Sequence, residues 1–424
     1  MSEAQPLLDH LFRRQSGRMV AHLTRVLGPA NLSLAEESVQ ESMLKALQIW
    51  PINGVPQNPE AWLFRTAHNA AIDAIRRART FENKTDTILT ELTRSAAKPD
   101  LAHIEEELRD DELRMIFLCC HPAIPRDSSI ALSLRTVGGF SVREIARAFL
   151  ADDTAIAQRL VRAKKQIRET GLKLEQPDPS EMETRLDAVL DVIYFIFNEG
   201  YTAHEGDDLI RLDLCQEGLR LASLIATSSL SRPRVHALVA LMALQSARSA
   251  ARVDARGDLI LLEEQDRTQW DQSLIRLGFK HFEKSMSGFD VSQYHVEAAI
   301  AATHARAAAS GVIDWKAILE LYDQLYEINP SPIVALNRAV AVDKVHGPYE
   351  ALKAIKPLEA DPKLNHYYLL LALRGHLLLE LGRREEAAAF FSAALELRCS
   401  EPERRFLMRK LSSAKAPKSI PEQL

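Results

Sequence analysis

Apolar positions recur at steps of three and four along almost the whole chain, and no stretch alternates apolar with polar residues over the length of a strand. The pattern predicts an all-α protein. A first helix is expected over 7–28, stopped by Gly28 and Pro29. Ser33 is placed to cap a second over 34–50, with Glu36 and Glu37 in the first turn, where the helix dipole favours acids. PINGVPQNP, 51–59, carries three prolines, a glycine and two asparagines and reads as a loop, and Pro59 opens a third helix. Residues 81–100 are polar and aperiodic, as in a flexible linker. Helices resume near Asp100 and run, with breaks, to about Lys173. EQPDPSE, 175–181, is the clearest domain boundary, and 182–424 is a further helical block.

That block repeats towards its end. Gly311, Gly347 and Gly382 recur at intervals of 36 and 35 residues, each between two helical segments, and the phrases after them close on Pro330, Pro362 and Pro402. A unit of about 34 residues built this way resembles the tetratricopeptide repeat, whose members bury their apolar faces only by stacking.

Two helices have an outer face too basic for the rest of the chain. On a wheel of 61–79, Leu63, Ala67, Ala70, Ala71, Ala74 and Ala78 form a narrow apolar stripe. Opposite it lie Trp62, Arg65, Thr66, Asn69, Asp73, Arg76 and Arg77. Arginine grips phosphate bidentately, aromatics stack on unpaired bases, and Asn reads a base edge. Asn53, Gln57 and Asn58, in the loop just before, are placed to hold an extruded base. The second face belongs to FSVREIARAFLADDTAIAQRLVRAKKQIRE, 140–169, which reads as helix, short turn, helix. Val142, Ile145, Ala146 and Phe149 point inward from the first helix, and Asp152 is placed to cap the second. On that second helix Ile156, Leu160, Ala163 and Ile167 make an inward stripe, while Gln158, Arg159, Arg162, Lys165 and Gln166 point out. A helix-turn-helix offers Arg and Gln to the major groove in this way, with Lys164 and Arg168 on phosphates to fix the register.

Composition adjusts this picture little. Hydrophobic residues make up 46% and charged residues 26% of 424, as in ordinary globular proteins, and the net charge is −5. The charge is uneven: 59–80 carries four arginines against two acids, 152–173 six bases against three acids, and 81–112 ten acids against four bases. Two basic helices across an acidic connector suggest two modules on one polyanion. No apolar run approaches the roughly 18 residues of a membrane span. The N-terminus lacks an apolar signal core, and four scattered cysteines suggest no disulfide framework, so a cytoplasmic chain is expected.

In this order the two modules resemble an extracytoplasmic-function sigma factor of bacterial RNA polymerase. LSLAEESVQESMLKALQIW (32–50) is similar to that family's polymerase-binding helix, with Glu36, Glu37, Gln40 and Glu41 at the matching positions. WLFRTAHNAAIDAIRR (62–77) is similar to its −10 element helix, and SVREIARAFLADDTAIAQRLVRAKKQI (141–167) to its −35 helix-turn-helix. Leu150 stands where the family usually has a turn glycine, and CCHPAI, 119–124, departs from the usual start of the second module. The resemblance implies a region 2-like domain over 1–80, an acidic linker over 81–107, a region 4-like domain over 108–174, and an extension over 182–424 with repeats clearest over 296–402. It also implies partners: the β′ and β subunits of core polymerase, and promoter DNA. The phrases at 195–222 and 240–271 resemble a subgroup whose fused extension takes the place of a separate anti-sigma factor and is needed for activity.

Other constellations weigh less. Cys119-Cys120-His121 reads as buried thiols, and the reading assigns no metal, no cofactor and no catalysis. Asn198, Glu199, Tyr201, His204 and Arg211, together with Glu264, Asp266, Arg267 and Trp270, are candidates for a regulatory or ligand site, or for a protein or peptide partner of the extension. The alternative to a sigma factor is a helix-turn-helix regulator whose repeat domain senses a peptide or protein, which leaves 34–80 without a use.

Overall fold

A computed structural model describes residues 4–78, 111–148, 151–174, 179–201, 211–288 and 290–416. The expected linker at 81–107, Phe149, Leu150 and His204 lie outside the described residues. Most of the described chain is helical, with a non-helical stretch at 252–266. Among the described residues the extended pairing is an isolated antiparallel bridge between Val253 and Leu259.

The chain divides into two compact units, Met1–Ile196 and Phe197–Leu424. The first opens with α1 (Ala4–Leu27), α2 (Leu32–Asn53) and α3 (Pro59–Ala78), packed on one another. A 3-10 turn, Pro29–Asn31, runs straight into α2, so Asn31 takes the N-cap position and Ser33 lies inside the helix, correcting the expected cap. α2 also continues through Pro51 to Asn53, where Gly54, at φ 80°, ends it by donating to the Trp50 carbonyl at 3.0 Å. The expected loop therefore shrinks to 54–58. A proline in the last helical turn forfeits one backbone bond without a following turn to disrupt.

The rest of this unit comprises α4 over 111–119, α5 (Arg126–Thr136), α6 (Val142–Ala148), α7 (Asp153–Thr170) and the start of α8 (Pro179–Tyr201). Ile156, Leu160, Ala163 and Ile167 are all buried, as their spacing predicts. Fully buried Phe140, Leu132, Leu134 and Ile145 lie in this part of the chain. Burial of each contributes about 1.5–3 kcal/mol. Ser141 and Glu144 box the start of α6: the Ser141 amide donates to the Glu144 carboxylate at 2.8 Å, and the Glu144 amide to the Ser141 hydroxyl at 3.2 Å. Asp152 occupies the N-cap of α7 but its side chain makes no capping bond. Gly171, left-handed at φ 62°, closes α7.

The two expected modules pack against each other instead of standing apart. A Cβ on Gly17 of α1 would lie 2.0 Å from the Val137 carbonyl oxygen, so only glycine allows this approach of backbone to backbone. The boundary expected at 175–181 falls partly outside the described residues. Past it, α8 belongs to the first unit as far as Ile196, with Arg126 paired to Asp191.

The second unit is built from α9 (Leu212–Ala226), α10 (Pro233–Ser246), α11 (Gln272–Ser285), α12 (Gln293–Ser310), α13 (Trp315–Ile328), α14 (Pro332–His346), α15 (Pro348–Ile355), α16 (Tyr368–Glu380), α17 (Arg384–Leu395) and α18 (Glu401–Lys415). From α12 onward each helix packs on the next. The recurring glycines serve the turns between them: Gly311, Gly347 and Gly382 all take positive φ, with open space where a Cβ would project. Their recurrence reflects backbone conformation, not close helix contact.

Candidate nucleic-acid interface

α3 presents the first basic face. Leu63, Ala67, Ala70, Ala71, Ile72, Ile75 and His68 are buried, while Arg65, Asn69, Asp73, Arg76 and Arg77 are exposed. Trp62 is half-buried and meets Trp50 edge-on, ring centroids 5.5 Å apart. Its exposed part remains available for stacking. Asn53 and Gln57 are exposed beside the loop. Asn58 serves the fold directly, because its side-chain oxygen accepts from the Ala61 amide at 2.9 Å and so caps α3. Arg76, Arg77, Asp73 and Glu41 line an open cleft of about 440 Å³ between α3 and α2.

The outer face of α7 is the second. Gln158, Arg162, Lys165 and Arg168 are exposed, and Arg159 and Gln166 are half-buried. Lys165 lies 3.6 Å from Glu169, and both are well exposed. Lys164 is different. Its ammonium pairs with the Glu36 carboxylate, reaching from the second module to the first.

That pair changes two expectations. Glu36, only 9% exposed, is held inside the first unit and does not present itself to a partner, unlike Glu37 and Gln40, which are exposed, and Glu41, which pairs with Lys45 at 2.8 Å. Lys164 is correspondingly turned from any phosphate in this conformation. Sequence reasoning also missed the apolar part of the α2 surface: Leu44 is 58% and Ile52 83% exposed. The signal was there, since position 44 falls off the stripe of Ala35, Val39, Met43 and Ala46 that α2 buries.

A buried ionic cluster joins the modules behind these faces. Asp111 at the start of α4 accepts from His22 Nδ1 at 3.0 Å, Arg25 Nε at 2.9 Å and Arg114 Nη1 at 3.1 Å. Arg18 and Glu112 form a second buried pair at 3.6 Å. His68, stacked on Phe64, is lowered to about 4 by burial and then by the His22 ring beside it. Cys119 and Cys120 are buried near the Thr136 and Ser133 hydroxyls, and burial pushes them up to about 12 and about 11, so both remain thiols. His121 Nδ1 accepts from the Ala123 amide at 3.1 Å.

In the second unit the candidate regulatory residues turn out to be largely structural. Tyr201 is buried, and its hydroxyl accepts from Arg248 Nε at 2.8 Å while the Arg252 guanidinium lies 4.1 Å over its ring. Burial alone would raise the Tyr201 hydroxyl, yet the two guanidiniums outweigh it and lower it. Glu199 and Arg211 are 3.9 Å apart, and Asn198 is half-buried. Trp270, 3% exposed, is core, packed with Leu244 and Ala302, so it lines no open groove. Asp266 accepts from the Thr268 amide at 3.0 Å to cap a short turn, and Arg267 is tied to the Ala307 carbonyl. Glu264 is exposed.

Comparison with known proteins agrees with this geometry. Residues 11–81 match sigma-70 region 2, residues 114–167 match sigma-70, region 4, and residues 185–286 match a family of unknown function, DUF6596. An uncharacterized protein of Rhizobium meliloti (strain 1021) is 41% identical over 399 residues, covering 93% of each chain. No solved structure matches the chain. A helical pair of modules with these two matches defines a promoter-recognition subunit of RNA polymerase. The chain belongs to the sigma-70 family, as an extracytoplasmic-function-like sigma factor with a C-terminal helical extension, and it binds core polymerase and promoter DNA to direct promoter-specific initiation.

Proposed function

We propose that α3 and the loop before it hold the −10 strand, that the outer face of α7 reads the −35 duplex, and that the C-terminal helical unit regulates initiation in cis. The observation that carries this reading is the pair of basic faces. Each lies on a helix inside the region 2 or region 4 match, with its apolar stripe turned inward and its cations outward. Arg65, Asn69, Arg76 and Arg77, with Trp62 as stacking surface and Asn53 and Gln57 nearby, are the −10 residues. Gln158, Arg159, Arg162, Lys165, Gln166 and Arg168 are the −35 residues, joined by Lys164 once it leaves Glu36. Glu37, Gln40 and Glu41, with the exposed Leu44 among them, dock on the β′ subunit, and the region 4-like module docks on β. Tethering both modules on the polymerase raises their effective concentration at the promoter, so neither needs to bind tightly alone.

The protein acts by binding and positioning, without catalysis, in the cytoplasm where the polymerase works. The alignment with the relative spans the extension together with both modules, so the extension is shared. The helix pairs after Gly311, Gly347 and Gly382 are read as tetratricopeptide-like. The test is run-off transcription from the cognate promoter with purified core polymerase. It compares the full chain with one ending near Gln176 and one ending at Tyr201, the second keeping α8 on the first unit. Loss of transcripts from both shortened chains supports an extension that assists. Equal transcription from all three removes regulation in cis, and silence from all three removes the promoter assignment.

A further inference from the structure

The second unit holds a group of side chains that promoter recognition leaves unused. Asp343 lies on α14, and His376 and Glu380 lie one turn apart on α16. His376 Nε2 is 3.3 Å from Glu380 Oε1, and one ligand-type atom from each of the three residues falls within 4.8 Å of the others. The pairing alone is ordinary, since a His and a Glu four residues apart on a helix often meet.

Asp343 is the second, independent observation. It is 7% exposed, and its Oδ1 is buried with no hydrogen-bond donor among the described residues. A buried carboxylate oxygen without a donor is costly to maintain, and here a second carboxylate faces it. The Lys344 ammonium is engaged elsewhere: it donates to Glu263 at 3.0 Å, with Trp315 beneath it at 6.0 Å. Two carboxylates and an imidazole thus converge on one point.

We propose that Asp343, His376 and Glu380 bind a divalent transition-metal ion of the zinc class, which clamps α14 to α16. One imidazole nitrogen and two carboxylate oxygens are a borderline donor set, suited to zinc, cobalt, iron or nickel and poorly suited to magnesium or calcium, which take oxygen alone. Zinc–ligand distances of about 2.0–2.2 Å require the three donor atoms to close somewhat from their present separation. His376 and Glu380 are free to do so, being 34% and 38% exposed, while Asp343 is fixed by burial. The same exposure gives the ion a way in and leaves a position for water. A closed clamp would stiffen the extension across α15, the helix between the two ligand-bearing ones.

The test uses the full chain, stripped with chelator and titrated with cobalt(II), whose visible absorption reports a nitrogen-containing coordination sphere, and with zinc by calorimetry. One equivalent is expected to bind, and zinc is expected to raise the melting temperature. His376→Ala should weaken binding by more than about tenfold. Asp343→Asn keeps the side-chain shape and removes the unpartnered charge, so it should leave the metal-free protein at least as stable while abolishing the rise with zinc. Failure of the wild-type chain to bind either metal at about tenfold excess overturns the proposal. So does binding that survives both substitutions, which would place the ion elsewhere. None of these readouts depends on promoter recognition or on the direction of regulation.

Discussion

The two basic helices follow one design and differ in what covers them. α3 turns its small apolar stripe inward and leaves Arg65, Asn69, Arg76 and Arg77 exposed. α7 buries an equally regular stripe, yet its basic side meets the first module, where Glu36 of α2 holds Lys164 and Arg159 is only half-exposed. A helix with the right face is therefore not yet an available face. On the proposed assignment, the −10 face is open in this conformation, whereas full use of the −35 face requires the modules to part. Core polymerase, by holding the modules separately, would supply that separation.

The strongest way to break the comparison is to remove what joins the modules. Asp111 serves three donors from two parts of the chain, and its side chain is 1% exposed. Asp111→Ala leaves His22 and Arg25 facing a vacancy and should destabilise the first unit by about 3–5 kcal/mol, read from urea denaturation. If the loss is negligible, the modules are not coupled through this cluster. Acid acts on the same region. Burial and the His22 ring lower His68 from an ordinary value of 6.5 to about 4. Between those values the unfolded chain binds more protons than the folded one, so stability is full above about pH 6.5 and falls as the pH drops towards 4, by on the order of 3 kcal/mol from this group. His68→Phe keeps the stack on Phe64 and should flatten that part of the denaturation profile. His281 and His304 of the second unit, also lowered to about 4 chiefly by burial, will still titrate in the variant.

The faces themselves come next. Arg159→Ala with Arg162→Ala should weaken −35 recognition by about 1–3 kcal/mol for each base interaction removed, and Arg65→Ala with Asn69→Ala should impair −10 opening comparably. Run-off transcription measures both. Unchanged transcripts after the first pair would mean that α7 does not read the promoter.

These helices also mark how far a sequence can be read. The α7 stripe is local, set by spacing alone, and Ile156, Leu160, Ala163 and Ile167 are buried as the spacing demands. α3 was only partly legible, because His68, Ile72 and Ile75 widen its buried side through contacts the wheel does not contain. The His22–Asp111 contact joins residues 89 positions apart, and nothing local announces it. The acidic phrase around Trp270 misled for the opposite reason. Its polar composition suggested a regulatory or ligand site, but Asp266 spends its carboxylate on a turn and Trp270 is buried beneath. Helix geometry is written in short periods, while site geometry depends on distant partners.

The smallest expected effect discriminates most finely. Glu36 matches a polymerase-binding position by resemblance, yet in this structure its carboxylate holds Lys164. While it does so, the carboxylate is not available to the polymerase. Glu36→Gln removes the charge at nearly constant shape. Because the pair is only partly buried, its loss should cost about 1 kcal/mol or less. With Lys164 released to reach phosphate, the free protein should bind a −35 duplex more tightly by less than about tenfold. Fluorescence anisotropy at low salt measures that gain, since the added interaction is electrostatic and screened at high salt. Glu36→Gln should at the same time leave affinity for core polymerase unchanged. If duplex binding stays constant and polymerase affinity falls instead, the pairing with Lys164 has no regulatory weight and Glu36 belongs with Glu37 and Gln40 on the docking surface.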